Sequence, residues 1–437
     1  MKYSQPKGTF DILPKELKEE NKWKLISRWQ FIEKTIKETC QDYGFSEIRT
    51  PMFESTEVFT RSVGDASDIV SKEMYTFEDK GGRSMSLRPE GTASVARAFI
   101  ENHLSQFGNQ HNLFYIGPFF RYDRPQAGRY RQFHQFGVEA LGRADPYQDA
   151  EMIDFLCETY RRLGLKDLNI LINSVGDDKS RNAYQGAFLE FLTPYFNDLS
   201  KESQERFSKN PLRILDTKDP KEKEILKNAP SLLNYLSDEC KKHFEIVCEN
   251  LSKIGLSYMI DPKLVRGLDY YNKTVFEITS NTLGAQNTIG AGGRYDGLIK
   301  ALGGPDIPSI GFATGIERVL HTMEAQKCFF PEPTSPFIFL IGIGEKTHSQ
   351  IFTLLCQLRH HKIPCEASIK HTKMQKALAD ASSSFANYCL ILGEDELEKR
   401  VFQLKNLITR ESSEISFDSI ASSIESLFKN SNMEKNQ

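Results

Sequence analysis

Residues 113–123, LFYIGPFFRYD, and 131–142, RQFHQFGVEALG, alternate apolar and polar positions on either side of the polar turn RPQAGR. A period of two belongs to strands with two chemically different faces, and a turn containing Pro and Gly between two such runs predicts an antiparallel hairpin. A chain built on this hairpin must form a sheet that receives it. Within the hairpin, Arg121, Arg124, Arg129 and Arg131 stand among Phe119, Phe120, Tyr122, Tyr130 and Phe133. A solvated face would favour Lys and Glu, so guanidinium groups set beside rings point to a ligand that is anionic and flat. On the second strand Arg131, Phe133, Gln135, Gly137 and Glu139 share one face, and Arg121 shares a face with Asp123 on the first. Gln135 and Glu139 are about 13 Å apart along the strand, room for a small polar molecule held end to end. Taken alone, the same face could simply be wet and carry surface ion pairs.

The rest of the chain divides by pattern. Leu25, Trp29, Ile32 and Ile36 recur at helical spacing between Asn21 and Tyr43, and Gly44 ends the helix. Pro51, in GFSEIRTPMFE, cannot donate to a central ladder and predicts an edge strand or a subunit contact. From 173 to about 252 the strand pattern gives way to a Lys- and Glu-rich helical composition, interrupted at Pro194, Pro211, Pro220 and Pro230, as an inserted helical domain would be. Strand signals return at LSYMI, TVFEI and SIGFATG. After TSP at 334–336, the runs PFIFLIGIG, IPCEAS and YCLILG alternate with helical stretches, which predicts a small α/β domain. The length of 437 residues suits two or three domains, and 39% hydrophobic with 26% charged residues is ordinary for a globular chain. No signal peptide and no apolar run long enough to span a bilayer is present, so a cytoplasmic protein without membrane contact is expected. Eight cysteines scattered singly predict reduced, mostly buried thiols, and no metal-binding set is readable. With a net charge of only −3, a polyanionic partner would have to be held by local patches.

Three further stretches carry chemistry. In SLRPEGTASVARAF, Glu90 precedes a helical pattern and could accept from an ammonium group, with Thr92 capping the helix as the plainer reading. In IGAGGRYDGL, glycines at 290, 292, 293 and 297 would let backbone approach a ligand, although neither this run nor IGIGEKT has dinucleotide or P-loop spacing. In GFATGIERVLHTME, Thr314 and Glu317 have the spacing of a capping box, whereas Arg318 in the first helical turn opposes the helix dipole, a placement easier to understand if it holds a phosphate.

Together and in this order, these motifs resemble the histidyl-tRNA synthetases, a family of class II aminoacyl-tRNA synthetases, over nearly the whole chain. GFSEIRTPMFE is similar to class II motif 1, FRYDRPQAGRYRQFHQFGVEALG to motif 2 and GFATGIERVL to motif 3. LVRGLDYYNKTVFEI and IGAGGRYDGL are similar to the two histidine-specific motifs; LKNLITRESSEISF follows the family loosely. The resemblance implies an α+β catalytic domain with a mostly antiparallel sheet, a helical insertion and a C-terminal α/β anticodon-binding domain. The expected bounds are 1–172 and 255–329 for the two catalytic parts, 173–254 for the insertion, 330–333 for the start of a linker, 334–428 for the anticodon-binding domain and 429–437 for a frayed tail.

The resemblance also implies an ATP-dependent ligase that joins L-histidine to the terminal ribose of tRNA(His) through histidyl-adenylate, as a homodimer, with Mg2+ carried by ATP. Arg121 and Arg266 would be catalytic, on either side of the α-phosphate, and would also border the histidine. Phe133 would stack on adenine, with Asp123 and Arg129 beside the nucleotide and Arg318 at the γ-phosphate. Glu90, Thr92 and Gln135 would surround the α-amino group, Glu139 and Tyr271 would read the imidazole, and Tyr270 and Tyr295 would complete the pocket. Arg124, Gln126 and Arg131 near the hairpin turn, with Lys370 and Lys373 in the basic terminal domain, would contact tRNA. Two rivals fit less well: a synthetase-like regulatory subunit of histidine biosynthesis typically lacks the terminal domain and intact histidine motifs, and a plain tRNA-binding module would not combine Glu90, Arg121, Arg266 and Arg318.

Overall fold

The computed structural model describes residues 3–15, 18–64, 67, 69–124, 128–283, 287–332, 335–369 and 373–435. Two compact units divide at residue 331. The strands of the first are β1 (Ser46–Glu47), β2 (Phe53–Ser55), β3 (Thr76–Glu78), β4 (Ser84–Leu87), β5 (His111–Phe120), β6 (Gln132–Leu141), β7 (Leu168–Ser174), β8 (Met259–Ile260), β9 (Asn272–Ser280), β10 (Thr288–Arg294) and β11 (Ser309–Gly315). Eight of them form one sheet in the order β1-β5-β6-β11-β10-β9-β7-β8, and β2-β4-β3 form a small second sheet. The central pairings are antiparallel, and only the outermost, β1 with β5 and β7 with β8, are parallel. The hairpin expected from alternation is β5–β6, in continuous register from His111↔Leu141 to Phe120↔Gln132. Pro118 is tolerated in β5 because β1 pairs only as far as Phe114; beyond it Arg88 takes the outer position, donating Nε to Pro118 O (2.9 Å) and accepting from Phe120 N–H (3.0 Å).

One face of this sheet buries Phe114, Phe136, Val138, Phe276, Ile310 and Phe312 against the helices Ile26–Asp42, Pro146–Arg162, Asp238–Lys253 and Ile316–Ala325. Burial of such side chains, at about 1.5–3 kcal/mol each, holds the sheet flat against its helices and leaves the other face free for chemistry. The N-terminal helix is shorter than its periodicity suggests. Residues Glu19–Lys24 form a 3-10 turn, Leu25 is extended, and the α-helix covers Ile26–Asp42, with Gly44 at φ 73° ending it in a conformation that favours glycine.

The expected insertion is helical, with Pro194, Pro211 and Pro220 in first turns, where the missing N–H is harmless. Its own core contains Tyr184, Phe188, Leu192, Ile214 and Leu232. It is not a separate body, however. Strand β7 extends to Ser174 within the main sheet, and Asp238–Lys253 sends Phe244, Val247 and Leu251 into the main core.

The second unit has strands β12 (Ile338–Gly342), β13 (Cys365–Ser368), β14 (Tyr388–Leu392), β15 (Val401–Asn406) and β16 (Ser412–Ser416), in the order β13-β12-β14-β15-β16. The first three are parallel, β12 and β14 are apolar, and helices pack on both faces; Leu340 and Leu390 lie in one core cluster and Phe339 and Ile391 in the other. The hairpin β15–β16 appears where no strand was expected, and a helix, Ile420–Lys435, runs through most of the tail expected to be frayed. Among the described residues, no helix is long and apolar enough to cross a membrane.

Candidate active site

The face of the large sheet opposite the core is nearly bare. Gly137 on β6, Gly311, Ala313 and Gly315 on β11, and Ala291 and Gly293 on β10 lie in register across it. A Cβ at Gly311 would come 2.2 Å from Glu139 Oε2, one at Gly137 would come 2.3 Å from the Tyr115 hydroxyl, and one at Gly293 would come 2.8 Å from the Tyr271 ring. Glycine is needed here so that large polar side chains can lie down on the sheet. The neighbouring Gly290 and Gly292 serve the core, because side chains there would strike the Tyr160 hydroxyl and Phe312, and Gly297 stands in open space. Above the bare floor is a cavity of about 270 Å³.

Carboxylates and tyrosines form one end of the cavity. Glu90, 4% exposed, accepts from the backbone N–H groups of Thr92 (2.7 Å) and Ala93 (2.9 Å), so Glu90 and not Thr92 caps the helix Thr92–Glu101. Thr92 is the first helical residue, and its Oγ1 donates to Glu139 Oε1 at 2.8 Å. The Tyr295 hydroxyl donates to Glu139 Oε2. Burial raises the Glu90 carboxyl above its ordinary value despite the helix N–H groups and Arg121. Burial likewise pushes Glu139, 1% exposed, up to about 8, against the pull of Tyr295 and Thr92. Gln135 Oε1 is buried with no hydrogen-bond partner, a costly state for a polar atom unless a ligand donates to it. Tyr270 lies between Tyr271 and Tyr295, with ring centroids 4.7 and 5.5 Å away.

Arginines form the other end. Arg121 is fixed by Nε donating to Pro89 O (2.9 Å), with its guanidinium 5.3 Å from the Phe133 ring centroid. Arg129 pairs with Asp123 at 2.8 Å. Arg318 sits in the first turn of Ile316–Ala325 and donates to Gly128 O (3.2 Å) and Thr288 O (2.7 Å). Burial lowers the pKa of both Arg121 and Arg318; at Arg318 the charges of Arg129 and Arg121 add to it, and at Arg121 the nearby Glu73 and Glu90 oppose it, so the cations gathered at Arg318 favour an anion among them. Arg266 borders the same cavity and donates Nη1 to Glu277, while its Nε is buried without a partner. Asp269, the acid nearest to it in the sequence, instead accepts from Asn210 at 2.8 Å and lies 3.7 Å from Arg213.

The structure thus gathers around one cavity Glu90, Thr92, Arg121, Asp123, Arg129 and Phe133. Gln135, Arg266, Tyr270, Tyr271, Tyr295 and Arg318 line it as well, and Glu139 is reached through Thr92 and Tyr295. Arg131 lies apart, with its guanidinium 4.0 Å from the Tyr122 ring centroid and Nε 3.4 Å from Asp123 O. The side chains of Arg124 and Lys373 are exposed, and Gln126 and Lys370 fall outside the described residues. Sequence reasoning missed Tyr115, whose hydroxyl lies where Cβ atoms at Gly91 and Gly137 would be, and Glu277, which holds Arg266 and accepts from Thr288 Oγ1 at 2.9 Å. Glycines opposite a tyrosine on paired strands were the available signal for the first; the second needed the β9–β10 pairing. The capping box expected at Thr314 and Glu317 does not form. Thr314 Oγ1 donates to Ile289 O (2.7 Å) and accepts from the Tyr160 hydroxyl (2.8 Å), and Glu317 turns to His134. Among the described residues, no group of three or more His, Cys, Asp or Glu could hold a metal ion.

Residues 8–319 match the family described as Histidyl-tRNA synthetase, and residues 338–427 match that described as Anticodon binding domain. The histidine–tRNA ligase of Protochlamydia amoebophila (strain UWE25) is 51% identical over 421 residues, which are 96% of this chain and 99% of that protein. That of Anoxybacillus flavithermus (strain DSM 21510 / WK1) is 46% identical over 425 residues, 97% of this chain and 98% of that protein. The crystal structure of apo S. aureus histidyl-tRNA synthetase superimposes with a TM-score of 0.81 at 36% identity, covering 97% of this chain and 100% of that one.

Proposed function

The chain belongs to the histidyl-tRNA synthetase family, within the class II aminoacyl-tRNA synthetases, and from that premise we propose how its cavity divides the work of activating histidine with ATP and transferring it to tRNA(His). The observation that carries the proposal is that one cavity has a carboxylate end and an arginine end. Histidine lies at the first. Its ammonium group meets Glu90 and the unpartnered Gln135 Oε1, with Thr92 alongside, and its imidazole reaches Glu139 and Tyr271, with Tyr270 and Tyr295 closing the pocket. ATP lies at the second, with adenine against Phe133, Asp123 holding Arg129 beside the nucleotide, and Arg318 at the γ-phosphate.

The histidine carboxylate attacks the α-phosphorus, a new O–P bond forms, the bond to the β-phosphate oxygen breaks, and pyrophosphate leaves. Arg121 and Arg266 flank the α-phosphate, where a fixed cation gains most as charge builds up in the transition state. A ribose hydroxyl of the tRNA end then attacks the histidyl carbonyl and AMP departs. Magnesium carried by the nucleotide would offset the negative charge of its phosphates, beside the cations Arg129 and Arg318 that would hold that end. Arg124, Gln126 and Arg131 near the turn would meet the tRNA acceptor end, and Lys370 and Lys373 its anticodon region. Exchange of labelled pyrophosphate into ATP should depend on histidine and fail with other amino acids; folded protein that shows no exchange with histidine would overturn the proposal.

We also propose a cytoplasmic homodimer. The cytoplasm is where charged tRNA is consumed and where eight unpaired thiols stay reduced. For the dimer, the helix Ile26–Asp42 offers less support than its amphipathic pattern suggests, since Trp29, Ile32 and Ile36 are spent in the core. Support comes instead from Met52, Phe53 and Phe77 near and on the small β2-β4-β3 sheet, 51%, 53% and 45% exposed. Sedimentation should give twice the chain mass at assay concentration; an active monomer there would reject the dimer.

A further inference from the structure

Glu317 is 2% exposed and stands beside Arg318 in the helix Ile316–Ala325, yet its carboxylate does not serve that helix. Both oxygens accept from the backbone N–H of His134 on β6, at 2.8 and 3.1 Å, and Oε1 is 3.0 Å from His134 Nδ1. The His134 ring is packed edge-on against Trp29, with centroids 4.9 Å apart, and this packing fixes the ring's position behind the sheet. His134 follows Phe133, the ring beneath the nucleotide, and Glu317 precedes Arg318, the cation at its far phosphate. A single buried carboxylate therefore joins the two elements that carry opposite ends of the ATP subsite. A charge-assisted acceptor on a backbone N–H is a strong and directional tie, and a small misplacement of one end relative to the other weakens a ligand held at both.

We infer that Glu317, acting through the His134 backbone, is a positioning residue that sets the spacing between Phe133 and Arg318 and so tunes ATP binding through those two residues. The inference rests on the proposed assignment of Phe133 and Arg318 to the nucleotide. Glu317→Ala removes the tie and should raise the KM for ATP about tenfold in pyrophosphate exchange, with the KM for histidine changed less than about twofold. Glu317→Asp keeps the charge but draws the acceptor back by one methylene, so it should raise the ATP KM severalfold, and it decides the matter if the alanine variant does not fold. Glu317→Gln retains a carbonyl that can accept the His134 N–H and should restore most of the ATP affinity. His134→Ala keeps that N–H and should have the smallest effect on the ATP KM.

Phe133→Ala and Arg318→Ala are measured in the same assay. If neither raises the ATP KM, the assignment of the nucleotide end fails. If both do while folded Glu317→Ala or Glu317→Asp leaves the ATP KM unchanged, or raises the histidine KM equally, the positioning role alone is overturned.

Discussion

Replacing Arg266 with alanine should slow formation of histidyl-adenylate by about a hundredfold to a thousandfold, the usual effect of losing one fixed donor to a developing charge. The Michaelis constants for histidine and ATP should change only a few fold, because the interaction strengthens at the transition state. The structure sharpens the alternative. Arg266 is paired with Glu277, which also accepts from Thr288, so a purely structural arginine would act by holding β9, β10 and the 264–271 loop together. Glu277 would be left poorly paired in the alanine variant, and a loss of stability alone could imitate a loss of catalysis. The double variant Arg266→Ala/Glu277→Gln removes that stranded charge. If Arg266 is catalytic, the double variant recovers its melting temperature and remains slow in single-turnover adenylation, while transfer from preformed adenylate to tRNA is affected less. A stable Arg266 variant with normal adenylation would sink the assignment, and equal loss in both steps with a lowered melting temperature would make the role structural.

Glu139→Gln should lower kcat/KM for histidine by about 30- to 150-fold, the equivalent of about 2–3 kcal/mol for a mismatched buried polar group, while the KM for ATP stays within about threefold. Both carboxylate oxygens already accept, from Thr92 and Tyr295, and an amide in that place turns its NH2 group toward one of those donors. Equal losses for histidine and ATP would mean that the cavity is oriented the other way. The same variant has a signature in the unliganded protein. Because the folded carboxyl lies at about 8 and the ordinary value is 4.5, the folded chain holds the extra proton between those limits. Stability of the wild-type protein should therefore fall as pH rises from about 4.5 to 8, and this contribution vanishes in Glu139→Gln. Melting curves at pH 6 and pH 8 check it: the variant should gain on the wild type at the higher pH, and an unchanged difference would place the Glu139 carboxyl near its ordinary value.

Local pattern revealed the elements whose neighbours do not alter them. The β5–β6 hairpin was legible because its alternation agrees with a sheet packed on one face, and β12 and β14 because buried parallel strands read as apolar runs. The exposed, polar SSEIS of β16 has no such signal; it is a strand because β15 offers it a ladder. Caps were the least legible feature. Thr92 and the Thr314–Glu317 pair have suitable local spacing, but Thr92 turns to Glu139 and Glu317 to His134, partners brought near only by the folded sheet. The candidate site was visible as a set of residues through the family resemblance, yet its internal wiring was not. That Arg266 is held by Glu277, and that small residues clear the floor for Glu139, Tyr115 and Tyr271, depend on strand pairing and register.

The division of one cavity into a histidine end and a nucleotide end is tested most directly by a crystal structure with the nonhydrolysable sulfamoyl analogue of histidyl-adenylate. Its imidazole should lie against Glu139 and Tyr271, its amino group against Glu90 and Gln135, its sulfamoyl group between Arg121 and Arg266, and its adenine on Phe133. An analogue bound in the reverse sense, or outside this cavity in protein that still carries out histidine-dependent exchange, would contradict the account.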